Sequence, residues 1–216
     1  MPQNKNRIAL ARNGHDGNGM RPPGRPRSEE SRQSILRSTL KLLKQPGGFP
    51  ELSIEAIAAD ANVGKTTVYR WWPTKAALVA DAFSSSADKE LQFPDTGSLQ
   101  RDMSLQMRNL IRIFRSERGK VVAALLAGGQ SDPELIGAFC DRFLWPRRKQ
   151  AYKTLQRGID RGELPTDSDL DLILDALYGP IYMRFLIRHG KLHEGFADEI
   201  CGLVLQALNR RAIAKN

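Results

Sequence analysis

The sequence predicts an all-α protein. Apolar residues recur at helical spacing in one segment after another, and no segment alternates apolar and polar residues as a half-buried strand would. Clusters of Gly and Pro divide the 216 residues into helix-length pieces. At 41% hydrophobic and 26% charged, the chain has the make-up of a folded globular protein. Its length suits a small domain joined to a larger one.

The first helix is expected to open at Ser28 as N-cap, with Glu29 and Glu30 at the positive helix end. Ile35, Leu36, Leu40, Leu42 and Leu43 form its stripe, and Pro46-Gly47-Gly48 stops it. A second helix starts at Ser53, with Ile54, Ile57, Ala58 and Ala61 apolar. Asn62-Val63-Gly64 is a tight turn, because Asn tolerates the left-handed conformation and Gly can cap the next helix. The third helix runs from Lys65 to about Trp72, and Pro73-Thr74 separates it from a fourth over about 74–91. Later helices are expected over about 98–115, 119–128, 133–160, 168–189 and 195–212, with a kink or split at Pro146. The domain plan is a disordered basic arm over 1–27, a small domain over 28–75 and a larger helical domain over 76–216.

Charge is distributed unevenly. The net charge is +9; residues 1–75 hold 13 Lys/Arg against 6 Asp/Glu, whereas the rest hold 20 against 18. A basic module on a nearly neutral body suggests a polyanion as partner, nucleic acid first and an anionic membrane surface second. No apolar run approaches the roughly 20 residues of a spanning helix, and the polar N-terminus lacks the apolar core of a secretory signal, so a cytoplasmic location is expected. The arm ends in Arg21-Pro-Pro-Gly-Arg-Pro-Arg27, whose prolines would hold the backbone extended and fan out Arg25 and Arg27. Such a strip resembles an AT-hook core and suits a narrow minor groove, or else it is a solvated basic linker.

Two short helices joined by a tight turn, with Val63 as a plug, make a helix-turn-helix. The second of the pair is the one that enters a major groove. Lys65, Thr66, Thr67 and Arg70 can hydrogen-bond there, and Tyr69 and Trp71 can pack on sugar or a thymine methyl; Val68 and Trp72 should face inward. The plainer alternative is a solvated helix face. With three histidines and no Gly-rich strand-to-helix turn, neither a Ser/His/Asp triad nor a nucleotide fold is indicated, so no enzyme and no cofactor are expected. Cys140 and Cys201 read as buried apolar thiols. His189 and His193 are four apart with Glu194 adjacent, a spacing that metal sites use, but Gly190 should break the helix between them and no third ligand is evident; a solvated helix end is the better reading and no metal is expected.

Residues Leu52 to Leu78, LSIEAIAADANVGKTTVYRWWPTKAAL, resemble the DNA-binding domain of the TetR family of transcriptional regulators. The likeness lies in the Ala-rich second helix, the tight turn, the Thr-hydrophobic-Tyr recognition helix and the aromatic-Pro-Thr-Lys exit, and it covers residues 28–80. The stretch from Trp145-Pro-Arg-Arg to Arg161-Gly-Glu-Leu looks like one large branch of that family. Asn62 stands where the family usually has Gly, and Gly64 where it has Ser or Thr, which removes one possible phosphate bond.

The resemblance implies that Lys65, Thr66 and Thr67 meet base edges and nearby backbone, that Tyr69, Arg70 and Lys75 hold phosphates, and that Ser53 caps its helix beside the DNA backbone. It also implies a homodimer on double-stranded DNA, joined through the last two helices. Leu172, Ile173, Ala176, Leu177, Ile181 and Phe185, with Ile200, Leu203, Val204, Ala207 and Leu208, would serve both core and interface. An unknown small-molecule effector would enter the larger domain, with Met103, Met107, Phe114, Phe139, Phe143, Trp145, Tyr178 and Tyr182 as candidate contacts, each of which could equally be plain core. Repression is the family's usual mode. The competing class is a basic helical protein that binds DNA or membrane surfaces without specificity or effector control.

Overall fold

A computed structural model describes the backbone over residues 25–215 and the side chains over residues 29–208. Every regular element among the described residues is helical. The first helix, α1, spans Arg25–Leu42 and buries Ile35, Leu36 and Thr39. It begins three residues earlier than expected, so Ser28 lies inside it rather than capping it. Pro26 sits in the first turn, where its missing N–H leaves no bond unmade. Arg25, Pro26 and Arg27 are therefore helical rather than extended, and the boundary of the expected arm moves accordingly; Arg21 to Gly24 lie outside the described residues.

A one-turn helix, α2 (Gly48–Glu51), follows where a plain stop was expected. Gly47 (φ 90°) and Gly48 (φ 52°) take left-handed conformations that turn the chain into it. Next come α3 (Ile54–Asp60) and α4 (Lys65–Trp71). Ser53 caps α3 by accepting from the Ala56 N–H at 3.1 Å. Between the two helices Asn62 adopts φ 54°, the left-handed residue that the turn requires.

The next helix, α5 (Lys75–Ala87), is capped by Thr74 and buried along most of its length. Leu78, Val79, Ala80, Ala82, Phe83 and Ala87 are all fully buried, because α1 covers one side of α5 and the later helices cover the other. The body then comprises α6 (Leu99–Arg115), α7 (Glu117–Gly128), α8 (Pro133–Phe139), α9 (Trp145–Asp160), α10 (Leu170–Ile187) and α11 (Gly195–Lys215). At the α6–α7 corner Gly119 passes so close to Phe114 that a Cβ would lie 2.0 Å from its carbonyl oxygen.

The long segment holding Pro146 is split, as its proline predicts. A π-helical turn, Cys140–Leu144, joins α8 to α9, and the Trp145 N–H donates to the carbonyl of Cys140, five residues back. This wider turn places Pro146 in the first turn of α9. Helix α10 ends at Ile187 with Arg188 left-handed (φ 59°), so His189 and His193 fall in the exposed connection to α11. Cys201 is buried as expected, whereas Cys140 is only half-buried. Among the described residues no helix is long and apolar enough to cross a membrane.

Candidate nucleic-acid interface and ligand cavity

Helix α4 has two contrasting faces. Val68, with the adjoining Trp72, is fully buried. Lys65, Thr66, Tyr69 and Arg70 are exposed, Tyr69 to 51%, and Thr67 is half-buried. Trp72 anchors the inner face: its indole N–H donates to Asp81 of α5 at 2.8 Å, and Arg32 of α1 donates to the same carboxylate oxygen at 2.9 Å. One carboxylate thus ties α1, the end of α4 and α5 together.

The outer face is basic but not uniformly available. Lys65 Nζ donates to Glu55 of α3 at 3.0 Å. That bond holds the Lys65 ammonium above its usual pKa and the Glu55 carboxyl below its own. Arg70 has no ion pair among the described residues, so its guanidinium is fully available to an anion.

Two predicted DNA contacts sit differently from expectation. Lys75 donates to the carbonyls of Phe49 (3.0 Å) and Leu52 (2.9 Å), with its ammonium 4.4 Å from the Phe49 ring centre. It closes the end of α2, a helix the sequence did not announce, instead of reaching outward. Trp71 is half-buried against Trp72, with Arg32 5.8 Å from its ring and its indole N–H buried with no acceptor among the described residues. It belongs to the wedge between α1 and α4 rather than to the outer face. The side chains of Arg25 and Arg27 lie outside the described residues.

A cavity of about 60 Å³ lies among α6, the π-turn, α9 and α10. Of the candidate ligand contacts, Phe143, Tyr178 and Tyr182 line it. Met103 and Met107 are instead fully buried core on α6, the latter accepting from the Cys201 thiol at 3.4 Å. Burial pushes that thiol up to about 11. Phe114 stacks on Phe185 (4.1 Å) and Phe139 packs on Phe143 (5.1 Å). Trp145, directly after the π-turn, is 52% exposed and does not line the cavity.

Residues that the sequence did not single out complete the wall. Gln106 accepts from the Tyr178 hydroxyl, and Arg147 and Arg148 line the cavity beside them. A signal for Arg147 was present: it precedes the buried Ala151 and Leu155 by four and eight residues, a charged side chain on an otherwise apolar stripe. Its guanidinium stacks 4.0 Å from the Phe143 ring and donates to the Phe143 carbonyl (3.2 Å), to Ser84 Oγ (3.1 Å) and the Ser84 carbonyl (3.3 Å) on α5, and to Asp88 (2.7 Å) just past the end of α5. Burial pulls Arg147 below its usual pKa, against the charge of Asp88. Burial also acts on Arg148, but its bonds to Asp171 and Asp175 outweigh it and hold that guanidinium above its usual value. Both phenols are raised by burial and stay protonated.

The last two helices leave apolar surface bare. Of the residues expected to serve core and interface, Ile173, Leu177, Ile181 and Ile200 are buried, Leu172, Leu203 and Ala207 are exposed, and Ala176, Phe185, Val204 and Leu208 lie between. Met183, Leu186 and Ile187 add to the exposed set.

Comparison with known proteins gives a consistent result. Residues 35–82 match the family model described as bacterial regulatory proteins, tetR family, and residues 93–204 match that of the tetracyclin repressor-like C-terminal domain. The uncharacterized HTH-type transcriptional regulator YdeS of Bacillus subtilis is 38% identical over 177 residues, 82% of this chain and 89% of the relative. The DNA-binding transcriptional repressor TetR of Mycobacteroides abscessus is 29% identical over 187 residues, 85% of this chain and 96% of that protein. The crystal structure of the TetR family transcription regulator SCO0332 superposes with a TM-score of 0.73 at 30% identity, covering 82% of this chain and 97% of the other.

Proposed function

Because the chain belongs to the TetR family of transcriptional regulators, with a DNA-binding helix-turn-helix and a C-terminal ligand-binding domain, we propose that it acts as a homodimeric repressor of a palindromic operator, released by a small molecule. The observation that carries this is the division of α4, with Val68 and Trp72 buried and Lys65, Thr66, Tyr69 and Arg70 turned outward. An inner face locked to the body and an outer face of donors is what a helix needs to enter a major groove. Tyr69 and Arg70 take phosphates, Lys65, Thr66 and Thr67 take base edges and adjacent backbone, and Ser53 orients α3 against the duplex.

Exposed Leu172, Met183, Leu186, Ile187 and Leu203 support pairing through α10 and α11. A patch of this kind on two adjacent helices is costly in water and suits an isologous two-fold contact. Two-fold symmetry in turn calls for half-sites about one helical turn apart. A ligand that favours a wider spacing of the two α4 helices weakens DNA binding by its differential affinity for the two states. The relative from Mycobacteroides abscessus, named a transcriptional repressor, favours repression over activation.

The test is selection of bound DNA from random sequence by the full chain. Enrichment of a palindrome whose affinity falls steeply with salt is expected; binding without sequence preference, or pelleting with anionic vesicles instead, would overturn the reading. Leu203→Glu should yield monomers by sedimentation and lose operator binding while the chain stays helical.

A further inference from the structure

The cavity holds a charge that its surroundings do not fully answer. Arg147 lines it with 12% of its side chain exposed, and its Nε–H is buried with no acceptor among the described residues. A buried donor on a cationic group left without a partner is costly, and such groups are normally satisfied. Its one carboxylate partner among the described residues, Asp88, is 62% exposed and follows the last residue of α5. Arg148, by contrast, is already met by two carboxylates, Asp171 and Asp175. Elsewhere on the wall Gln106 and Tyr178 bond to each other, and Leu110, Phe143, Leu144 and Leu174 supply its apolar surface. Tyr182 also lines the cavity, close enough for the Arg147 charge to act on its phenol.

We propose that the effector is an apolar carboxylate, whose carboxylate takes Arg147 from Asp88 while its hydrocarbon body occupies the Leu110, Phe143, Leu144 and Leu174 wall. This rests on the reading of the body as the effector-binding part of the regulator. A carboxylate supplies paired acceptors that match the guanidinium fork, including the unanswered Nε–H. The Tyr182 hydroxyl offers a second donor on the same wall. A cavity of about 60 Å³ is smaller than the roughly 150 Å³ that accepts benzene, so the occupant has to widen it. Phe143 and Leu144 stand on the π-turn, a backbone segment able to change its hydrogen-bond register.

The same exchange reaches the DNA-binding end. Arg147 holds Ser84 of α5 and Asp88 at its C-terminal end, and α5 carries Asp81, on which Trp72 and Arg32 converge. Drawing Arg147 toward a ligand loosens α5 at one end while the α4 anchor remains fixed to it at the other.

Octanoate and octan-1-ol share a hydrocarbon chain and differ in charge, so titrating the full-length protein with each by calorimetry isolates the anion anchor. Octanoate should bind at least about tenfold tighter, and Arg147→Met should bring the two within about twofold. Because Arg147 is buried, thermal melting accompanies that variant, and Asp88→Asn provides an independent arm on an exposed residue. Removing the competing carboxylate should tighten octanoate binding severalfold and leave octan-1-ol unchanged. Equal affinities in the parent protein, a preference that survives Arg147→Met, or no effect of Asp88→Asn would each overturn the proposal. Release of a selected operator by neutral compounds alone would also overturn it while leaving the regulator reading intact. Failure to select any operator would overturn that reading and leave the calorimetric result to stand by itself.

Discussion

Arg70 on α4 and Arg147 on α9 are the same side chain put to opposite uses. Arg70 is solvated and without an ion pair among the described residues, while Arg147 is buried, stacked on Phe143 and bonded to α5. An exposed guanidinium gains little from any single partner, because water and salt screen it. It suits a polyanion, which meets many such charges together and releases counterions in doing so. A buried guanidinium is screened far less and discriminates strongly between having a partner and lacking one. The two ends of the molecule therefore differ in expected salt response and in selectivity, and each can be perturbed separately.

The largest effect is expected where the two ends are joined. Trp72→Ala removes a fully buried ring and the donor to Asp81, and should cost about 3–5 kcal/mol in denaturant unfolding. If DNA binding fell while stability held, Trp72 would be part of the contact surface and not its anchor. Next is Arg70→Ala, which should weaken binding to all operator variants alike and lower the salt slope by about 1, with the dimer unchanged in sedimentation. A change in base preference at one position would move Arg70 from phosphate to base readout.

A smaller effect of opposite sign is expected from Glu55→Gln. Glu55 occupies Lys65 and adds negative charge beside the DNA-facing surface. Its removal should tighten DNA binding about threefold at low salt and fade as the Debye length shrinks. Weaker binding at every salt concentration would mean that the pair positions Lys65 instead of competing for it.

The smallest effect concerns acid. Bonds to Arg118, to Tyr152 and Arg148, and to Arg112 hold Glu90, Asp171 and Glu194 below their ordinary pKa values. A carboxyl lowered in the folded state lends stability that is full above its unfolded pKa, near 4, and is lost as pH falls through the folded value. The melting temperature should therefore be flat through neutral pH and decline below about pH 4, whereas a decline beginning near pH 6 would mean that these carboxyl pairs are not what acid removes.

Some of this architecture was legible because it is local. Asn62-Val63-Gly64 encodes its own turn, since Asn accepts φ 54° where most residues would be strained. Val68 and Trp72, four apart, declare the inner face of α4 by spacing alone, and Pro146 marks where the helical bonding pattern changes. The start of α1 at Arg25 was not legible, because a proline in a first turn and a proline in an extended arm look alike in sequence. The short α2 was hidden by two glycines that read equally well as a plain stop. Among the effector candidates, aromatic residues at helical spacing line a cavity or fill a core with the same pattern; only the neighbouring helix separates Tyr182, on the wall, from Phe114, stacked against Phe185.

By itself the sequence determined most of the helices, the tight turn and the basic outer face of α4, because spacing, turn chemistry and charge are properties of adjacent residues. Only the tertiary structure decided that Lys75 closes α2, that Trp71 turns inward, that Trp145 leaves the cavity wall and that Arg147 enters it. It also decided which apolar residues of α10 and α11 stay bare. Each of these depends on which distant helix covers a face, and that is set by the packing of the whole chain.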